Sequence, residues 1–205
     1  MSTAKDAVAG YDYGSTDLAP SPVTMADLKA LLITVGWTGD DAQALREAGG
    51  ILKDQVRDLV LQWRAGIIAS IPHLARHSRS PQNEPLPQYL ERSNRRFELW
   101  VLDTCFRPYD QTWLDYQNEI ALRHMSVRKN RTDGVQSTPY VPFHDALAFT
   151  AVMNDTIRPY LAKHGHAPAQ VERMHAAWRK SLQLQMALWA HPYMDRGADR
   201  PASEW

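Results

Sequence analysis

The 205-residue chain carries 23 lysine and arginine residues against 23 aspartate and glutamate residues, a net charge of zero that excludes general electrostatic attraction to nucleic acid or an anionic membrane. With 44% hydrophobic residues and no Gly/Ser-rich linker, it reads as one domain with one sizeable core. Cys105, the single cysteine, excludes an internal disulfide framework and a Cys-rich zinc site; a small buried residue on an apolar face fits it better than a nucleophile.

The N-terminal MSTAKDAVAGYDYGSTDLAPSP lacks the apolar segment of a signal peptide, and no later run reaches the length of a membrane span. A soluble cytoplasmic protein is expected. Thr24 is a natural N-cap for a first helix, MADLKALLITV, which Gly36 ends. Thr38 to Asp41 is the next start signal, opening a run through Ala48, Leu52, Val56, Leu59 and Trp63 that should stay helical to about Ser70, with a break point at Gly49-Gly50. Pro72 interrupts it, and His77 to Pro87 reads as a polar connecting loop.

From Gln88, Leu90, Phe97, Val101 and Cys105 keep one side of a helix until Pro108, which should start the next one. That next helix carries WLDYQNEIALRHM, where Trp113, Tyr116, Ile120 and His124 share a face at spacings of three or four residues. The basic, turn-rich SVRKNRTDGVQSTP that follows reads most simply as a solvated loop whose cations complement the negative end of that helix. Two more helices run from Phe143 through Ile157 and from Pro168 through Trp189, the second closed by His191-Pro192. The expectation is an all-α domain of about six to eight packed helices.

Most catalytic constellations fail. The chain has no Gly-rich phosphate loop, no G-x-S-x-G elbow and no H-E-x-x-H or Cys-x-x-Cys spacing, and its carboxylates are scattered over polar faces, so no catalytic residue is assigned. His164, His166 and His191 fit turns or surfaces. His124 differs because it stands on an apolar face, and other helices supply faces bearing Trp63, Phe97 and Phe149. One neutral imidazole facing a wide apolar pocket is what a haem iron needs, since the porphyrin supplies the other four ligands. A core histidine, or one capping a helix end, would leave the same pattern.

GYDYG (10–14), VLDTCFRPYDQTWLDYQNEIALRH (101–124), LAKHGHAP (161–168) and LQLQMALWAHPY (182–193) resemble the protoglobins of archaea and bacteria, in order and with nearly constant spacing. The resemblance implies a globin-like helical sandwich with an extra N-terminal helix, enclosing one haem b. It divides the chain into an N-terminal extension (1–23), a haem domain (24–193) and a short tail (194–205). By the same resemblance His124 is the proximal iron ligand. A ligating imidazole is normally oriented by an acceptor on its other nitrogen, and the carbonyl of Ile120, one turn earlier, is the first candidate. Trp63, Phe97 and Phe149 match aromatic residues near the haem, and Met153 lies one turn beyond Phe149, where the family usually has an aliphatic residue.

The departure is Arg64. The family pattern has a tyrosine directly after the tryptophan, a donor to bound dioxygen, whereas this chain reads QWRAGIIAS and is one residue longer between Trp63 and Pro72. Solvent or a haem propionate is the expected partner of Arg64, because a guanidinium in an apolar pocket needs one. Such a pocket would lack a neutral donor and autoxidise faster. Arg96, beside Phe97, is a second propionate candidate or a solvated arginine.

The resemblance implies binding of diatomic gases (O₂, CO, NO) at five-coordinate haem, and homodimerisation through the last two helices, where Trp178, Leu182 and Trp189 exceed what one face needs. Redox or group-transfer chemistry at the same iron, with NO or peroxide, is the alternative. A third reading is a gas sensor acting through a separate partner, since only about a dozen residues follow Tyr193. A reductase, but neither nucleic acid nor membrane, belongs among the expected partners.

Overall fold

Two capping boxes open the fold. In the computed structural model, which describes residues 8–163 and 165–194, Thr24 and Asp27 exchange side-chain and backbone hydrogen bonds at the start of α1 (Met25–Thr34). Thr38 and Asp41 do the same for α2 (Gly39–Leu52). Each box satisfies donors that a helix start leaves orphaned. Gly36 lies between them at φ +65°, a left-handed conformation suited to glycine.

The α2 helix passes through Gly49-Gly50 without breaking and stops at Leu52. Gly49 is there for space. A Cβ on it would meet Phe106 Cζ at 2.6 Å and Cys105 Cβ at 2.7 Å, so its missing side chain lets α2 lie against α5 (Pro87–Phe106). The run after Val56 is likewise not one α-helix. After α3 (Val56–Leu61) come a π-helical turn over Gln62–Ile67 and a 3-10 turn over Ile68–Ser70, before the short α4 (Pro72–Ala75). A π turn closes i to i+5 hydrogen bonds and takes up more residues than an α turn, which suits the extra residue that the resemblance implies between Trp63 and Pro72.

Helix α6 (Gln111–Arg123) begins at Asp110, whose side chain caps Trp113 N, and not at Pro108. Helices α7 (Phe143–Leu161) and α8 (Pro168–Met194) complete the bundle, and α8 runs on through His191-Pro192 to Met194. The described residues contain eight α-helices and no strand, only an isolated bridge between Arg79 and Pro85. None of these helices is long and apolar enough to cross a membrane. His164 and all of the expected tail except Met194 lie outside the described residues.

Helix α8 is the hub, packing against α2, α6 and α7. Its Trp178, Leu182 and Trp189 are buried within this chain, so the apolar surplus read as a dimer face is used by the core. Two buried indoles are paired through α8, as low-dielectric surroundings favour: Trp100 Nε1 donates to Gln185 Oε1 at 2.7 Å and Trp189 Nε1 to Gln117 Oε1 at 2.8 Å, whereas the buried indole N–H of Trp178 has no acceptor among the described residues. Cys105 is a buried core residue, and burial pushes its thiol far above the usual range. That removes it as a nucleophile.

The N-terminal GYDYG motif straps α5 to α6. Tyr11 donates to Asp103 Oδ2 at 2.6 Å on α5, while Arg123, on α6, donates to Gly10 O and pairs with Asp12 Oδ2 at 2.7 Å. Gly49→Ala should destabilise the protein by about 1–3 kcal/mol through overpacking of the α2–α5 contact, read as a lower urea midpoint.

Candidate functional site

At the end of α6 the backbone N–H of His124 goes to Ala121 O and that of Met125 to Leu122 O, three residues back, so the carbonyl of Ile120 loses its i+4 donor. The side chain of His124, the C-cap residue, meets that carbonyl: its Nδ1 lies 2.8 Å from Ile120 O. A carbonyl only accepts, so Nδ1 carries the proton and Nε2, across the ring, holds the lone pair. Burial pushes the His124 pKa down to about 4, with Arg64, Lys129 and Arg123 adding to the effect against the Ile120 hydrogen bond. The imidazole is therefore neutral at pH 7, the state a metal requires. Trp189 from α8 stacks on it, ring centres 5.2 Å apart, and Val141 N donates to His124 O at 2.7 Å.

His124 lines a cavity with about 1340 Å³ of empty space counted out to its mouth. Ile120, Phe97, Phe149, Met153, Arg64 and Arg96 line it too. Trp63 does not. It is fully buried one layer behind, against Phe97 (ring centres 5.3 Å apart) and Trp178, with its indole N–H donating to Thr156 Oγ1 at 2.7 Å. The need of a buried indole for an acceptor turns it toward α7.

Arg64 does not turn into solvent. It lines the cavity with Nη2 donating to Ser93 Oγ at 2.7 Å and its guanidinium carbon 5.2 Å from the centre of the Phe97 ring. Of the two expected partners, solvent is thereby removed, and the donor that Arg64 brings to this wall is charged. Arg96 is not solvated either; it forms a two-point pair with Asp133 (2.5 and 3.1 Å) and donates to Ala9 O at 2.8 Å.

The loop after α6 is anchored, not solvated. Lys129, 4% exposed, donates to the carbonyls of His77 (3.1 Å) and Thr138 (2.8 Å), not to the end of α6, and burial with the nearby Arg64 lowers its pKa to about 8. His77 also reaches the cavity, with Nδ1 2.7 Å from Thr138 Oγ1 and Nε2 3.6 Å from Asp145 Oδ2. Burial is the main cause that holds its pKa near 4. Neither residue stood out in the sequence, because both sit in segments without helical period.

The family model for protoglobins matches residues 24–199. The chain belongs to the protoglobin family. No curated protein matches it. Membership makes the chain a globin and implies a haem cofactor, and its all-α architecture is the globin-like one. The cavity of this protoglobin fits such a group: it offers a neutral imidazole with its Nε2 unprotonated, aromatic and aliphatic walls, and in Lys129 a buried cation without a carboxylate partner among the described residues.

His77 and His124 both hold their protons less tightly folded than at the ordinary value of 6.5, so protonation favours unfolding. The haem-free protein should keep full stability above pH 6.5 and lose it progressively toward pH 4. Urea denaturation across that range checks this, and His77→Asn should flatten the dependence.

Proposed function

We propose that the protein binds diatomic gases, O₂, CO or NO, at the iron of a haem b held by His124. The observation that carries this is a neutral, oriented imidazole on the wall of a wide apolar cavity. Bound haem would supply the open coordination position at which a gas binds. Ile120 O fixes the ring of His124, and Trp189 limits its rotation. Phe97, Phe149 and Met153 are apolar walls that exclude water. Lys129 is the residue to pair with a haem carboxylate, because the guanidinium of Arg96 is already engaged by Asp133.

On this reading residues 24–193 form the haem-binding unit and residues 1–23 an extension whose GYDYG motif braces Arg123, beside the ligand. A cytoplasmic setting with a separate reductase or signalling partner belongs to the same proposal. So does a homodimer through α7 and α8, to be tested by size-exclusion chromatography. The alternative, redox or group-transfer chemistry on NO or peroxide, is favoured by one observation: His77, backed by Asp145, places an acid–base group on the cavity wall.

Visible spectra of the ferric, ferrous and CO-bound protein should show an intense Soret band that shifts with CO. His124→Ala should lose or alter it. No Soret band after addition of haem would return His124 to the role of a core histidine.

A further inference from the structure

Among the described residues Arg64 is the one cavity-lining arginine without a carboxylate partner. Arg96 has Asp133 at 2.5 Å, and Arg123 has Glu119 at 2.8 Å and Asp12 at 2.7 Å. The only hydrogen-bond acceptor of Arg64 is the neutral hydroxyl of Ser93, and its Nε is buried with none at all. A guanidinium has five N–H donors and cannot discharge by losing its proton. Beneath it lies the ring face of Phe97, which offers quadrupolar attraction but no counter-charge. A second cation, Lys129, faces the same cavity and is held only by carbonyl oxygens. Asp145 also lines the cavity, but it lies beside His77, and no described carboxylate pairs with Arg64, so the wall at Arg64 keeps a local positive potential, strengthened by its low dielectric.

We propose that Arg64 makes this cavity select small anions: with ferric haem bound, the ligand preferred beside Arg64 would be a monovalent anion such as azide, fluoride or nitrite, ahead of neutral ligands. The inference rests on the haem reading above and names the ligand class of that same site. The ferric porphyrin core, its two side-chain carboxylates apart, carries one positive charge, so an anion there would answer both the iron and the guanidinium. A neutral ligand answers neither.

Wild-type protein, Arg64→Met and Arg64→Gln would be loaded with ferric haem and titrated with fluoride, and separately with neutral imidazole, following the visible spectrum; CO would be titrated into the ferrous forms. Arg64→Met should raise the fluoride Kd at least about tenfold, the loss of one charge-assisted hydrogen bond, while imidazole and CO shift less than about threefold. Arg64→Gln, which keeps a donor and removes the charge, should fall between, and it carries the test if the methionine variant does not take up haem. An unchanged fluoride Kd in both variants would overturn the proposal, as would an equal loss for all three ligands. Unchanged fluoride binding with faster haem transfer to excess apomyoglobin would show the guanidinium paired with a haem carboxylate instead. Wild-type protein that takes up no haem would overturn the haem reading and this inference together, whereas a haem-loaded wild type with insensitive variants removes this inference alone.

Discussion

The hydrogen bond from Nδ1 of His124 to the carbonyl of Ile120 is the constraint on which the site depends. It joins two groups that would each be costly alone: a helix-end carbonyl with no partner in the helix, and a buried imidazole N–H. One bond satisfies both and sets the tautomer. Its geometry requires α6 to end where it does, and that end is held from three directions. Val141 clamps the carbonyl of His124, Trp189 stacks on the ring from α8, and the GYDYG strap grips Arg123. Gln117, one turn before Ile120, receives the indole N–H of Trp189, so the residue that stacks on His124 is itself oriented by α6. Motifs a hundred residues apart meet here for that reason.

Charge is handled in two ways around the cavity. Arg96 and Arg123 are neutralised by carboxylates and serve as struts, tying α5 and α6 to the N-terminal segment and the loop after α6. Arg64 and Lys129 are not neutralised, and each costs desolvation energy that only hydrogen bonds to neutral groups offset. Burial depresses the pKa of both Lys129 and His124, and the charge of Arg64 adds to it in each case. A cavity that keeps its histidine neutral by burial and by nearby cations is also one that attracts negative charge. The two properties have one cause.

Where function follows periodicity, the site was legible in sequence. The helix start signals at Thr24 and Thr38 are the observed caps, and the shared face of Trp113, Ile120 and His124 exists because α6 is regular. The carbonyl of Ile120 was anticipated as the acceptor for His124 too, as a corollary of the ligand role that the resemblance implies. What was not legible lies in irregular backbone or depends on tertiary competition. Lys129 and His77 sit in turns, where spacing carries no facing information. Trp63 and Phe97 both have the pattern of pocket aromatics, and only the acceptor offered by Thr156 decides which one stands behind the other. Pro192 sits in the last turn of a helix that tolerates it there, so a reading by breaker residues stops α8 too early.

The π turn over Gln62–Ile67 connects the departure from the family pattern at Arg64 to its chemistry. An added residue in an α-helix must either rotate everything downstream by about 100° or be absorbed locally as a wider turn. Absorption keeps Trp63 in the core and Pro72 at the start of α4, so the fold is preserved. The residues within the wide turn bear the adjustment, and Arg64 is one of them. A long, branched cation reaches Ser93 and the face of Phe97 from backbone of π geometry, and the hydroxyl of Ser93 on α5 gives it the one acceptor that holds it inside. Because that acceptor is neutral, the turn delivers a whole positive charge to the wall of the cavity, where a tyrosine would have delivered only a dipole.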